Sequence, residues 1–221
     1  MQPRILIDEA QTPGGETMTL TSRSGYFLVS VEGYKLMSSS EHHSEEHMAA
    51  VACPGLATHS GARLAIGGLG MGFTLRATLD QMPPDGEIVV VEVMQAVVKW
   101  NRGPLAHLSE NALDDPRVEV VLDDAVRYFS SRPEPFDGIL LDVDNGPEAF
   151  TLKANDRLYS LRGLRRLRDC LRPGGALVIW SAFDSPEFVQ ALRKAGFDAE
   201  SVQVRSRGKK GRRHTLFVGR V

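Results

Sequence analysis

The sequence predicts an α/β fold in which a mostly parallel sheet, covered by helices on both faces, ends in an antiparallel hairpin and follows a small β region. Three observations support this prediction. Short β-like runs fill residues 1–40, strand-like and helical stretches alternate from Arg63 onward, and only a loop joins the last two β-like runs. We therefore expect a small antiparallel β region over residues 1–40 and one larger α/β domain over residues 41–221.

The N-terminal β region is indicated by apolar runs that are separated by turn residues, such as Pro13-Gly14-Gly15 and Glu32-Gly33. A helix is then expected over residues 41–52. Ser38-Ser39-Ser40 offers residues that cap helix N-termini, and Pro54-Gly55 ends the helical pattern.

The larger domain is predicted to contain five parallel strands, at residues 63–66, 87–92, 118–122, 138–142 and 176–180. Helices are expected to begin near Gly72, Gln95, Ala125 and Asp156, and a further helix is expected over residues 186–195. The closing hairpin should pair residues 199–204 with residues 215–221. This order is typical of methyltransferase-type Rossmann-like domains.

Composition narrows the function classes. A formal net charge of −2 and a sequence pI of about 6.3 disfavour a protein that coats nucleic acid or an anionic membrane. No apolar run approaches the roughly 18 residues of a spanning helix. Cys53 and Cys170 lack CxxC spacing, which fits a reducing cytoplasm. We expect a cytoplasmic protein that acts on a small molecule, with no membrane or nucleic-acid partner.

Two polar clusters suggest other sites, and a simpler reading is preferred for each. His43 and His47 are spaced i, i+4 among acids, but the H-E-x-x-H pattern is absent and no metal site is predicted. The tract 205–214 holds six positive charges and no interleaved aromatic residue, so a solvated hairpin tip is favoured over an anion or nucleic-acid contact.

The glycine cluster Gly67-Gly68-Leu69-Gly70-Met71-Gly72 lies between a predicted buried strand and a helix, where glycine lets the backbone approach a ligand closely. Phe73 stands where a dinucleotide fingerprint needs its third glycine. The pattern therefore favours a ligand without a pyrophosphate, whose methionine-like chain rests on Gly67, Gly68 and Gly70. A tight strand-to-helix turn is the alternative reading.

Carboxylates follow the next two strands. Glu92 ends the second strand, twenty residues after Gly72, where an acid can accept both hydroxyls of a ribose; a solvated strand end is the alternative. Asp123 and Asp124 follow the third strand, where an adenine amino group would donate; an N-cap for the next helix is the alternative. With the glycine loop, these acids predict an S-adenosylmethionine-type ligand.

Asp142 and Asp144 close the fourth strand, so they should face the same crevice as Glu92. Two acids at this place can hold a cationic amine and take its proton as it attacks an electrophilic carbon. The alternative is a polar loop opened by Asn145-Gly146-Pro147.

The run from Leu64 to Asp142, with Leu158-Tyr159-Ser160 and the Pro173-Gly174-Gly175 turn, resembles the spermidine synthase family of polyamine aminopropyltransferases. The resemblance implies that Gly68, Gly70, Glu92 and Asp124 bind decarboxylated S-adenosylmethionine, or its product methylthioadenosine, without a metal. It implies that Asp142 accepts the proton of the amine substrate. It further implies pocket roles for Asp144, Tyr159 and His47, and a homodimer.

Several positions depart from that family. Val143 and Asn145 replace a serine and an aspartate of its catalytic loop, its gatekeeping glutamine falls on Met37, and its Tyr-His pair falls on Glu46-His47. Compared with the family, the residues expected to bind the nucleoside are retained, and the residues expected to bind the diamine substrate are altered. Transfer of a methyl group from intact S-adenosylmethionine, and a non-catalytic nucleoside-binding domain, stay open as alternatives.

Overall fold

The computed structural model describes residues 3–131, 133–143, 156–208 and 210–221. The N-terminal part of the chain forms a four-stranded antiparallel sheet with the strand order β1-β2-β3-β4. The strands are β1 (Ile5–Gln11), β2 (Thr17–Arg23), β3 (Tyr26–Val31) and β4 (Tyr34–Ser38). The small antiparallel β region expected at the N-terminus is thereby confirmed.

The second sheet has seven strands in the order β10-β11-β9-β8-β5-β6-β7. They are β5 (Arg63–Gly67), β6 (Glu87–Glu92), β7 (Val118–Leu122), β8 (Phe136–Leu141), β9 (Leu171–Ser181), β10 (Asp198–Arg207) and β11 (Lys210–Arg220). Strands β5 to β9 pair in parallel, and β11 pairs antiparallel with both β9 and β10. The predicted parallel sheet with a closing antiparallel hairpin is confirmed.

Helices cover both faces of this sheet. They are α1 (His43–Ala52), α2 (Phe73–Leu79), α3 (Gln95–Asn101), α4 (Ala125–Ser130), α5 (Asp156–Tyr159), α6 (Leu161–Asp169) and α7 (Pro186–Ala195). Successive strand residues contribute to opposite faces, as the two-residue period of a strand requires: Val90 belongs to the same hydrophobic cluster as Met48 of α1, and Val89 to the same cluster as Leu164 of α6. Within the described ranges, no helix combines the length and apolarity that crossing a bilayer requires.

Two boundaries differ from the sequence prediction. Helix α1 begins at His43 rather than near residue 41, because the Ser39 hydroxyl accepts a hydrogen bond from Phe27 N (2.9 Å) and holds this segment to β3. The closing hairpin also runs further than predicted. Cross-strand pairs such as Arg205↔Arg213 continue the ladder through the basic tract as far as the pair Arg207↔Lys210.

Asp137 ties the amino ends of the central strands together. Its Oδ2 accepts hydrogen bonds from Arg63 N of β5 (2.7 Å) and from Arg172 Nη1 of β9 (2.7 Å), and the side chain is almost fully buried. Losing a buried acceptor leaves its donors unpaired, which costs more than the hydrogen bond itself contributes.

Replacing Asp137 with alanine is expected to lower the free energy of unfolding by about 2–4 kcal/mol, since a backbone donor and a guanidinium lose their partner. Urea unfolding measures this change. The matched control is Glu200→Ala, at an exposed position on β10, which should stay within about 0.5 kcal/mol of the parent protein. Equal effects of the two substitutions would contradict the role given to Asp137.

Candidate functional site

The candidate site is formed at the carboxyl ends of β5, β6, β7 and β8, where parallel strands of an open α/β sheet hold their ligands. The glycine loop leaves β5 and enters α2. Gly68, Gly70 and Gly72 all adopt positive φ angles, of +88°, +54° and +82°. These angles are favourable only for glycine, which explains the composition of the loop.

Asp142 is joined to the glycine loop through its backbone. Asp142 N donates to Gly67 O (2.8 Å), and a Cβ placed on Gly68 would lie only 2.2 Å from Asp142 O. The absence of a side chain at Gly68 therefore lets the segment after β8 touch the loop directly. The structure thus brings Gly67, Gly68 and the backbone of Asp142 together, and their functional roles stay predictions.

Glu92 lies beneath the loop and is 7% exposed. One carboxylate oxygen accepts from Leu69 N (2.9 Å) and the other from Met94 N (2.7 Å), so the side chain connects the glycine loop to the end of β6. Burial raises the pKa of Glu92, and the two backbone donors act in the opposite direction. The alternative of a solvated strand end is therefore wrong, while ribose binding stays a prediction.

Asp123 and Asp124 follow β7 beside Glu92. Asp123 N donates to Glu92 O (3.1 Å), and the Asp123 carboxylate forms an ion pair with Arg127. Asp124 caps α4, because its Oδ1 accepts from Arg127 N (2.9 Å). The capping role predicted as an alternative for Asp124 is confirmed, and contact with an adenine amino group stays a prediction for both acids.

Two other predicted residues, Tyr159 and His47, lie on elements that cover opposite faces of the sheet. Tyr159 is buried on the α6 and α7 face of the sheet, with its ring 5.8 Å from that of Phe188 in an edge-on arrangement. His47 is exposed on α1, which covers the opposite face, and its ring lies 5.7 Å from that of His43. Asp144 lies outside the described residues. The pocket roles of all three stay predictions.

Asn101 is a site residue that sequence reasoning missed. Its Nδ2 donates to Gly70 O (2.9 Å), and its Oδ1 is enclosed near Gly72 without a hydrogen-bond partner among the described residues. The sequence signal for this residue was its position: a polar amide in the last turn of α3, next to Val98 and Trp100, which are buried. Asn101 thus binds the glycine loop at Gly70, and Glu92 binds it at Leu69.

The N-terminal sheet also reaches the loop. Met37 of β4 has its sulfur 3.8 Å from the position that a Cβ on Gly70 would take. His42, just before α1, stacks on Phe73 at the start of α2, with ring centroids 4.4 Å apart. The family position at Met37 is thus next to the glycine loop, although the residue type differs from the family's glutamine.

An aromatic pair lies near the carboxyl ends of β8 and β9. The register of these strands pairs Leu141 with Ile179, Trp180 is the next residue of β9, and the centroid of the His214 ring of β11 lies 4.7 Å from that of Trp180. Trp180 Nε1 and His214 Nδ1 are enclosed without a hydrogen-bond partner in the described part of the chain. Burial lowers the pKa of His214, against the opposing effect of Glu41.

The basic tract joins this side of the site. Arg207 Nη2 lies 3.0 Å from Glu41 Oε1, and the same carboxylate pairs with Lys35. The closing hairpin is therefore bound to the segment between β4 and α1, while Arg212 and Arg213 remain exposed as the sequence predicted. In the described ranges, no group of three or more His, Cys, Asp or Glu side chains is arranged to hold a metal ion.

Comparison with known proteins agrees with this geometry. A family model described as "Spermine/spermidine synthase domain" matches residues 42–196. The polyamine aminopropyltransferase of Aeropyrum pernix is 35% identical over 158 residues, which are 68% of this chain and 49% of that protein. The corresponding enzyme of Mycobacterium tuberculosis is 34% identical over 152 residues, which are 64% of this chain and 28% of that protein. The chain thus spans half or less of the length of these two relatives.

Solved structures support the fold. A spermidine synthase in complex with the transition-state analogue AdoDATO superposes with a TM-score of 0.75 at 17% identity, covering 98% of this chain and 72% of the other. The spermidine synthase from Thermotoga maritima gives a TM-score of 0.72 at 16% identity, with the same coverage. The predicted fold class is confirmed across almost the whole chain.

The close contact at Gly68 is expected to make this position intolerant of any side chain. Gly68→Ala should lower the free energy of unfolding by about 3 kcal/mol or more, from positive φ and overpacking combined. The control is Gly25→Ala, which has a similar φ of +81° but open space around it, and should cost only about 1–2 kcal/mol. Thermal and urea unfolding of both variants compare the two effects; equal costs would argue against the tight contact with Asp142.

Proposed function

Because the chain belongs to the spermine/spermidine synthase domain family, we propose that it is a transferase that moves an aminopropyl group from decarboxylated S-adenosylmethionine to an amine. Methylthioadenosine is the second product. The observation that carries the proposal is the backbone contact between the glycine loop and Asp142, which places a carboxylic acid beside the loop that would hold the sulfonium end of the cofactor.

The nucleoside half of the cofactor is assigned to Glu92, Asp123 and Asp124. The Glu92 carboxylate already interacts with the backbone N–H groups of Leu69, Met94 and Val93, but a carboxylate has about four acceptor positions in all, so it keeps acceptor capacity for the ribose. The hydrogen bond from Asp123 N to Glu92 O keeps the two strand ends adjacent. Ribose and adenine would therefore meet acids held at a fixed separation.

The reaction side is assigned to Asp142. The acceptor nitrogen attacks the methylene carbon that joins the aminopropyl chain to the sulfonium. The bond between this carbon and sulfur breaks, and its electron pair passes to sulfur, which becomes the neutral thioether of methylthioadenosine. The new secondary ammonium releases a proton, which the Asp142 carboxylate accepts. Such positioned proton transfer contributes about 10²- to 10⁴-fold to rate in enzymes generally.

The acceptor is proposed to be a polyamine-type amine. Trp180 follows Ile179, which pairs with Leu141, so we propose that its ring lies near Asp142, and an aromatic ring next to a carboxylate favours a cation. Asp144 is proposed to supply a second negative charge, and Tyr159 and His47 further contacts. Met37 at the position of the family's glutamine supports an acceptor whose shape differs from that of the family's usual diamine.

The setting of the enzyme follows from the same reasoning. We place it in the cytoplasm as a homodimer, without a nucleic-acid partner or a bound metal. We assign residues 41–221 to the cofactor-binding domain and residues 1–40 to a β domain beside it. Cys53 and Cys170 are both buried and are not joined in a disulfide, which supports a reducing compartment. Light scattering of the purified chain tests the dimer.

Asp142→Asn is expected to reduce the rate of aminopropyl transfer by about 10²- to 10⁴-fold, because the amide accepts no proton. Methylthioadenosine affinity, measured by isothermal titration calorimetry, should stay close to that of the parent protein. Asp198→Asn, at an exposed position on β10, is the matched control and should leave both quantities unchanged. Unchanged turnover in Asp142→Asn would contradict the proposed role of Asp142. If the chain transferred a methyl group from intact S-adenosylmethionine and no aminopropyl group, the methyltransferase alternative would replace the proposed function.

Acidification is expected to weaken nucleoside binding through Glu92. The ionised carboxylate accepts ribose hydroxyls, and protonation removes acceptor capacity, so affinity should fall as pH falls through the pKa of Glu92. Burial raises that pKa, so the loss should begin at a higher pH than an exposed glutamate would require. Titrations with methylthioadenosine between about pH 5 and pH 8 measure this dependence. In Glu92→Gln the affinity should be weaker at pH 8 and flat across that range; an unchanged pH profile would contradict the assignment.

A further inference from the structure

A surface cavity of about 460 Å³ lies between α4, α5 and α6. None of the glycine-loop or strand-end residues of the proposed transfer site lines it. Its volume falls within the range of about 300–1,000 Å³ that small-molecule sites occupy. We call it the arginine cavity, after the Arg157, Arg162 and Arg166 side chains that line it.

The floor of the arginine cavity is apolar. Val126 and Phe129 of α4 and Leu158 of α5 line it, and Phe129 and Leu158 are buried. Gly163 of α6 lets this helix approach α5 closely, because a Cβ at this position would lie 2.2 Å from Arg157 O and 2.2 Å from Leu158 O. A small apolar or aromatic group would therefore find surface complementary to it.

Among the described residues, no acidic side chain compensates the positive charge of the cavity. Arg157, Arg162 and Arg166 form no ion pair with a described carboxylate, and no described residue that lines the cavity is acidic. Some arginines elsewhere in the chain do form ion pairs, for example Arg63 with Glu87 and Arg117 with Asp115. Arg162 and Arg166 are four residues apart on α6, so their like charges repel each other. An anion in the cavity would relieve this repulsion.

Arg166 of α6 is held against the neighbouring helix α4. Its Nη1 donates to Ser130 Oγ of α4 (2.6 Å), which holds the guanidinium across the mouth of the cavity instead of leaving it in solvent. The hydroxyls of Ser130 and Ser160 add hydrogen-bonding groups to the lining. A held guanidinium loses less conformational freedom when it binds an oxyanion.

We propose that the arginine cavity binds an organic phosphate, with the phosphate group on Arg157, Arg162 and Arg166 and the carbon skeleton on the apolar floor. A guanidinium is a planar fork of donors that matches phosphate oxygens in bidentate fashion. A phosphate dianion presents three such oxygens to the three arginines, which a carboxylate does not. The site is independent of aminopropyl transfer and does not rest on the proposed function.

Isothermal titration calorimetry on the full chain tests the proposal with three probes. Phenyl phosphate carries both features, inorganic phosphate lacks the carbon skeleton, and benzoate lacks the phosphate. We expect phenyl phosphate to bind at one site per chain, at least tenfold more tightly than either of the other probes. The double variant Arg162→Gln/Arg166→Gln should weaken phenyl phosphate binding at least tenfold. Arg165→Gln, on the same helix but not lining the cavity, is the matched control and should leave the affinity unchanged.

Circular dichroism and the methylthioadenosine affinity of the double variant check that its fold is intact. Undetectable binding of phenyl phosphate to the parent protein, or equal binding to the double variant and to Arg165→Gln, would overturn the proposal. Equal affinity for inorganic phosphate and phenyl phosphate would overturn the role of the apolar floor. Saturating methylthioadenosine should leave the phenyl phosphate titration unchanged; competition between them would place the phosphate in the transfer site instead and overturn the separate cavity.

Discussion

The contact between the glycine loop and the segment after β8 is the constraint on which the site depends. Gly68 has no side chain, so the carbonyl of Asp142 occupies the space where a Cβ would lie, while Asp142 N donates to Gly67 O. Two adjacent parallel strands thus end in direct backbone contact. Any change of loop conformation would displace the carboxylic acid that is proposed to take the substrate proton.

The glycine loop is held from two further directions by buried polar side chains. Glu92 accepts from Leu69 N on the inner side, and Asn101 donates to Gly70 O on the outer side. Burying a carboxylate is unfavourable unless hydrogen bonds compensate for lost hydration, which is why the pKa of Glu92 is raised even though two backbone donors face it. The protein thereby retains, at its proposed cofactor site, an acid that a purely structural role would not require.

The two ends of the parallel strands carry different tasks. At the amino ends, Asp137 joins β5, β8 and β9 through hydrogen bonds that no ligand would use. At the carboxyl ends, the loops that follow β5, β6, β7 and β8 carry the glycine loop and the acids. The residues that stabilise the sheet and the residues proposed to carry the chemistry thus lie at opposite ends of the strands. We infer that the residues proposed to bind the acceptor amine can differ from those of relatives without destabilising the sheet.

The sequence by itself determined the order of the elements and the acids at the strand ends, because apolar periodicity and glycine placement are local properties of the chain. Helix α7 and strands β6 and β7 match the predicted bounds. Tertiary structure decided what no local pattern encodes: that Glu92 is buried beneath the loop, that Asn101 and Trp180 join the site, and that Tyr159 packs in the core. The ladder through the basic tract likewise depends on pairing between β10 and β11. These outcomes depend on contacts between residues far apart in sequence, and only the packed sheet brings them together.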